Sequence, residues 1–122
     1  MDTSEQYTKK CDCPEIQEGH RWRAGDYGYW PANGDINVMY CGEYMPEELG
    51  EGHIWLPLQH QLQEMVYPLS RDIQGQVWDL YAFATENRAK FPRVSSMEQL
   101  WLAFVMKEKY NKIWNGTEWV LV

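Results

Sequence analysis

Apolar side chains recur at helical spacing through the second half of the chain, and they predict three helices. The first follows Pro57, which suits the first turn of a helix, and it ends before the next proline. The second has Ser70 as its N-cap and reaches about Lys90, with a buried face of five residues: Ile73, Val77, Leu80, Tyr81 and Ala84. The third begins at a capping box of Ser95 and Glu98, and its apolar stripe consists of Met97, Leu100, Trp101, Phe104 and Val105.

Aromatic and β-branched residues nearer the N-terminus occur in runs that are typical of strands. Residues 26–30 and 36–40 flank a loop that carries Pro, Asn and Gly where a turn needs them, so they predict a β-hairpin. Residues 1–20 are predicted to form an irregular arm, because Pro14 would interrupt a helix in this segment.

A second hairpin is predicted near the C-terminus, where Asn115 and Gly116 lie between apolar runs. This dipeptide favours a tight turn because both residues tolerate positive φ. A two-residue turn would put Trp114 diagonal to Trp119 on one face, near enough for contact between the indoles. We expect both hairpins to form one small antiparallel sheet packed with about three helices, which is an α+β fold in a single globular domain spanning residues 1–122.

Composition adds an acidic and strongly aromatic character to this picture. The chain of 122 residues holds seven Trp and eight Tyr, and its net charge is −7. No Lys or Arg lies between Arg23 and Arg71, whereas seven carboxylates do. Nucleic-acid phosphates and anionic membranes normally require a basic surface, so we expect neither as a direct partner.

Aromatic and acidic side chains concentrate in the first half of the chain and form the predicted binding surface: Tyr27, Tyr29, Trp30, Tyr40, Glu43, Tyr44, Glu47 and Glu48. Alternation along a strand puts Tyr27 and Tyr29 on one face and Trp30 on the other. One face would then pack on the helices while the other meets a ligand or a partner. The sequence leaves two alternatives open, namely burial of the rings in a core and an acidic surface that is only solvated.

No motif in the chain points to a catalytic residue, a cofactor or a metal. The serines are explained as helix caps, and the glycine spacing matches neither a nucleophile elbow nor a phosphate-binding loop. Cys11, Cys13, Cys41 and His20 could together supply four zinc ligands, but the usual paired Cys-x-x-Cys spacing is absent. We therefore expect no bound metal, and this set of four residues is the alternative.

Two stretches of the chain resemble segments of small uncharacterised proteins encoded by phages and prophages of Gram-positive bacteria. The first is Ile54-Trp55-Leu56-Pro57-Leu58-Gln59-His60-Gln61-Leu62-Gln63-Glu64-Met65, and the second runs from Ser96-Met97-Glu98-Gln99-Leu100-Trp101 to Trp114-Asn115-Gly116-Thr117-Glu118-Trp119. The resemblance implies a viral accessory protein and brings no catalytic residues with it.

These features predict a non-enzymatic accessory protein that acts by contact with a protein partner of basic character. We expect it in the bacterial cytoplasm, since the first residues lack the basic and apolar regions of a secretion signal. Self-association into a homo-oligomer is one alternative, and a small-ligand module or an enzyme that uses an aromatic cleft is another. Exposed rings on an open face would favour a protein partner, whereas a deep pocket with convergent polar groups would favour a ligand.

Overall fold

Helices and antiparallel strands occur in both of the units into which the computed structural model divides, Met1–Leu58 and Gln59–Val122. The structure describes residues 1–39, 52–67, 72–87 and 94–122, and five helices and five strands lie within them. This mixture confirms the predicted α+β class, while the assignment of a single domain stays a prediction. In the part of the chain just defined, no helix is long and apolar enough to cross a membrane.

The prediction of an irregular arm over residues 1–20 is wrong, because this segment forms two helices: α1 (Glu5–Cys11) and α2 (Pro14–Gln17). Ser4 caps α1, since its Oγ accepts a hydrogen bond from the backbone N–H of Tyr7. Pro14 stands at the start of α2, where a missing N–H breaks no helical hydrogen bond, so it begins a helix instead of interrupting one. Tyr7, Cys11 and Ile16 are buried, and this burial stabilises the two short helices.

The predicted N-terminal hairpin is confirmed, and a third strand joins it: β1 (Tyr27–Trp30), β2 (Asp35–Val38) and β3 (Ile54–Leu56), in the order β2-β1-β3. All pairs are antiparallel, and Tyr29 lies between Ile36 and Ile54 in one row across the sheet. Beside β3, the side-chain amide of Gln17 accepts a hydrogen bond from the N–H of Trp55 and donates one to its carbonyl. A side chain therefore satisfies backbone groups of β3 that would otherwise need another strand.

Three helices form most of the second unit: α3 (Gln59–Val66), α4 (Ile73–Glu86) and α5 (Met97–Tyr110). Helix α5 is its core, since Gln99 and all residues from 101 to 106 are buried. Its N-cap is Ser96, one residue later than predicted, and Ser95 accepts a hydrogen bond from the Gln99 side chain instead. Met97, which belongs to the predicted apolar stripe, is exposed because it precedes the buried part of the helix.

The predicted buried face of α4 is wrong in three of its five positions. Ile73, Val77 and Tyr81 are exposed, and it is Leu80 and Phe83 that are buried. The helix is also capped differently, since Asp72 accepts a hydrogen bond from the N–H of Gly75 and is the N-cap. The predicted cap Ser70 and the predicted end Lys90 lie outside the described residues.

The C-terminal hairpin consists of β4 (Lys112–Trp114) and β5 (Trp119–Leu121). It forms a sheet of its own, so the expectation that it would join the N-terminal strands is not met. Its loop has four residues, and Trp114 therefore pairs directly with Trp119, with ring centroids 5.3 Å apart. Gly116 has the expected positive φ, at +107°, whereas Asn115 does not, so the two-residue turn is not formed.

Candidate functional site

The described part of the predicted binding surface is the strand β1, which carries Tyr27, Tyr29 and Trp30. All three residues are partly buried, and the strand register places Trp30 on the face opposite to the two tyrosines, as predicted. The remaining predicted residues lie outside the described residues: Tyr40, Glu43, Tyr44, Glu47 and Glu48.

The alternative zinc site is only partly visible, because Cys41 lies outside the described residues. Burial raises the pKa of the Cys11 thiol well above its usual range and that of Cys13 to about 11. Both thiols are therefore protonated at neutral pH, and neither is an activated nucleophile. Across the ranges that the structure describes, no group of three or more His, Cys, Asp and Glu side chains could hold a metal ion.

Five aromatic side chains of the first unit form a continuous series of contacts, which we call the ring cluster: Trp55, His20, Trp22, His53 and Trp30. The imidazole of His20 stacks on the indole of Trp55, with centroids 3.5 Å apart and planes at 6°. Trp22 makes T-shaped contacts with His20 at 5.3 Å and with His53 at 6.2 Å, and His53 lies 4.7 Å from Trp30. Such contacts add to the stabilisation from apolar burial, so the cluster holds the loop before β1 against β3.

Asp26 anchors the ring cluster through a buried carboxylate. One of its oxygens accepts hydrogen bonds from His20 Nε2 at 2.9 Å and from the backbone N–H of Arg23 at 2.7 Å. The side chains of Asp26 and His20 are only 2% and 8% exposed. Because substrate could barely reach the imidazole, we assign His20 a structural role and no catalytic one.

Burial lowers the pKa of His20, and the hydrogen bond and negative charge of Asp26 offset this effect only in part. The imidazole is therefore neutral at pH 7, and its Nε2–H is the donor to the Asp26 carboxylate. This contact is a hydrogen bond to a charged acceptor and not an ion pair under these conditions.

We expect the protein to lose stability as the pH falls below about 6.5, where His20 of the unfolded chain becomes protonated. The folded chain takes up this proton only at lower pH because its His20 pKa is lowered. The unfolded chain then binds more protons, and the free energy of unfolding decreases through that window. Thermal melts between about pH 8 and pH 5.5 measure the effect. The decrease is expected to be smaller in His20→Gln, and equal pH profiles for the two proteins would contradict it.

Two polar atoms of the ring cluster are buried without a hydrogen-bond partner among the described residues: Trp55 Nε1 and His53 Nδ1. The other nitrogen of His53 accepts from the Asn37 amide at 3.1 Å, which puts the proton on Nδ1. Unpaired buried donors cost about 1–3 kcal/mol each. The ring packing of this cluster therefore outweighs the hydrogen bonds that it leaves unmade.

A groove of about 490 Å³ lies on the face of the three-stranded sheet opposite to Trp30 and the ring cluster. The row formed by Ile54, Tyr29 and Ile36 lines it, and α1 contributes polar side chains that include Glu5 and Lys9. Glu5 and Lys9 form an exposed ion pair with each other at 3.2 Å. Among Tyr27, Tyr29 and Trp30 of the predicted surface, Tyr29 lines this groove.

The second unit exposes one face of α4, which we call the α4 face: Ile73, Val77, Trp78 and Tyr81. Each of these side chains is between 56% and 69% exposed, and the rings of Trp78 and Tyr81 lie 6.2 Å apart. Residues three or four apart on a helix are neighbours on its surface, and such spacings link Ile73 to Val77, Val77 to Tyr81 and Tyr81 to Trp78, so the four form a single patch. Monomeric soluble proteins seldom expose contiguous patches of large apolar side chains.

Sequence reasoning found the apolar stripe of α4 but assigned it to the core. An i, i+4, i+8 pattern marks a face that is to be covered, and it does not say whether the cover is the same chain or another. Of the ring cluster, sequence reasoning singled out Trp30 as a surface residue but not its contacts, because the members come from separate stretches around residues 20, 30 and 54.

No protein-family model matches this chain, and comparison with curated proteins and with solved structures likewise gives no match.

Proposed function

We propose that the protein acts without catalysis, as an accessory protein that binds another protein through the α4 face. The observation that carries this proposal is the exposure of four large apolar side chains on one side of one helix. Two of them are a Trp and a Tyr, the residue types that most often dominate binding energy at protein interfaces. Exposed rings on an open face are also expected of a surface that binds a protein, whereas a small-ligand module would have a deep pocket.

Charge indicates the chemistry of the partner. Exposed Asp72 is the N-cap of α4 and directly precedes Ile73 of the α4 face, and the helix includes no Lys or Arg between Ile73 and Glu86. The whole chain carries a net charge of −7. A second copy would bring like charges to the rim of the interface, whereas a basic partner would complement them. The occupant of the α4 face is therefore a different protein with a basic rim around an apolar centre.

The test is capture of the partner from host extract with the wild-type protein, followed by titration of the identified protein against variants. Trp78→Ala and Tyr81→Ala are each expected to weaken binding by about 30-fold, since hot-spot rings contribute about 2 kcal/mol or more. Leu121→Ala on β5 is the matched control, because this side chain is apolar and 71% exposed but lies on another element. Binding that all three variants leave unchanged would contradict the proposal.

Two further measurements separate the alternatives. Replacement of Glu43, Glu47 and Glu48 by Gln tests the acidic surface predicted from sequence. If this triple variant loses binding while Trp78→Ala retains it, the interface belongs to the first unit. Sedimentation of the wild-type protein tests self-association. A dimer that Trp78→Ala dissociates would make a second copy the occupant and overturn the assignment of a basic partner. The phage or prophage origin and the cytoplasmic location stay predictions.

A further inference from the structure

A cleft of about 450 Å³ opens on the side of α4 opposite to the α4 face. We call it the α4–α5 cleft, and its lining includes Tyr67, Asp79, Phe83, Glu86, Phe104 and Glu108. Asp79, Phe83 and Glu86 follow one another at i, i+4 and i+7, so they share one side of α4. The volume falls within the range of about 300–1,000 Å³ that is typical of small-ligand sites.

The inner part of this cleft is aromatic. Phe83 and Phe104 are almost fully buried, and their ring centroids lie 5.2 Å apart. The ring of Tyr67 lies 6.2 Å from that of Phe104. Aromatic faces carry partial negative charge, so they attract a cation as well as apolar groups.

The described residues at the rim of the cleft are mostly acidic. Among them, Asp79, Glu86 and Glu108 contribute three carboxylates and Lys107 contributes one ammonium. Lys107 donates to the side-chain oxygen of Asn111 at 2.7 Å, which draws its charge toward the end of α5. Tyr67 donates its hydroxyl hydrogen to Asp79 at 2.9 Å and so fixes the orientation of that carboxylate.

We propose that the α4–α5 cleft binds an organic cation, with an ammonium or guanidinium group at the carboxylates and an alkyl portion against the aromatic rings. Neither the rings nor the carboxylates would define a site by themselves. Their combination in one recess of ligand size favours an amphipathic cation over an inorganic ion, because an inorganic ion makes no use of the apolar floor. This ligand site is distinct from the α4 face and does not depend on it.

The cation can come from a free amine or from the side chain of a basic protein, and two probes distinguish these sources. Agmatine represents a free guanidinium amine, and N-acetyl-arginine methylamide represents an arginine side chain within a polypeptide. Titrations followed by ¹H–¹⁵N NMR are expected to shift amide signals around Tyr67, Asp79 and Phe104. The alcohol 1-pentanol is a neutral control, and it is expected to bind at least tenfold more weakly. Binding of agmatine alone assigns the site to free amines, and binding of both probes extends it to arginine side chains.

Asp79→Asn is expected to weaken agmatine binding by about tenfold or more, since it removes one charge at the cleft and keeps the shape of the side chain. Asp35→Asn, an exposed change in the first unit, alters the net charge equally and is expected to leave binding unchanged. Tyr67→Phe provides a second variant that keeps the ring but removes the hydroxyl that donates to the Asp79 carboxylate, and a reduction of several-fold is expected. An equal loss of agmatine affinity in Asp79→Asn and Asp35→Asn would show non-specific attraction and overturn the site. Shift changes that do not saturate with either probe by about 10 mM would also overturn it.

Discussion

Trp101→Ala is expected to lower the free energy of unfolding by about 3–5 kcal/mol, the largest effect of any substitution considered for this chain. Trp101 lies in the core helix α5, is 1% exposed, and contacts the rings of Tyr67 and Phe104. Its removal leaves a cavity that a helix buried on all sides cannot close. Among the described residues its Nε1–H has no acceptor, so deleting this unpaired donor recovers part of the loss and favours the lower end of the range.

Trp78→Ala is the matched control for Trp101→Ala. Trp78 is the same residue type on a neighbouring helix of the same unit, but its side chain is 69% exposed. We expect its removal to change the free energy of unfolding by no more than about 0.5 kcal/mol. Denaturant unfolding followed by circular dichroism measures both variants. A loss of several kcal/mol in Trp78→Ala would show that the α4 face is covered within the folded chain, and it would also contradict the proposed interface.

Asp26→Ala is expected to destabilise the protein by about 2–4 kcal/mol. The substitution deprives two part-buried donors, His20 Nε2 and the backbone N–H of Arg23, of their acceptor. It also releases the turn that leads into β1, where the N–H of Asp26 donates to the carbonyl of Arg23 at 3.1 Å. The ring cluster depends on the position of His20, so its packing on Trp55 should loosen at the same time.

Asp35→Ala separates this effect from a general change of charge. Asp35 is exposed at the start of β2, and its carboxylate accepts a hydrogen bond from the nearby Asn33 side chain. We expect a change within about 0.5 kcal/mol for this variant. Thermal and denaturant unfolding of both variants, with near-ultraviolet circular dichroism to report the ring cluster, would show the difference. Similar losses in the two variants would mean that Asp26 has no special role.

Local patterns predicted the elements whose stability is largely their own. The apolar stripe of α5 and the Asn-Gly turn at residues 115–116 lead directly to the observed helix and hairpin, because their periodicity and turn chemistry act within a few residues. The loop was nevertheless two residues longer than the shortest turn, so Trp114 and Trp119 pair directly and not diagonally. A residue pair of this kind depends on register, which the turn dipeptide alone does not specify.

The amino-terminal helices show where local rules gave the wrong result. Pro14 was interpreted as a break, yet the same residue opens α2 because a proline is tolerated in the first turn of a helix. What stabilises these short helices is burial of Tyr7, Cys11 and Ile16. The Tyr7 hydroxyl also donates a hydrogen bond to the carbonyl of Pro57 at 2.6 Å, so α1 is held in part by a residue 50 positions away in the sequence. Periodicity within residues 1–20 contains no information about residue 57.

The sequence by itself determined the α+β class, the core helix, both hairpins and the acidic, aromatic character of this protein. These properties follow from spacing, turn residues and composition, which act locally or add up along the chain. Tertiary structure alone decided that the apolar stripe of α4 faces outward, that His20 stacks on Trp55 and donates to Asp26, and that aromatic rings and carboxylates share one cleft. Each of these depends on which segments lie next to each other, and burial is a property of that arrangement and not of any residue type.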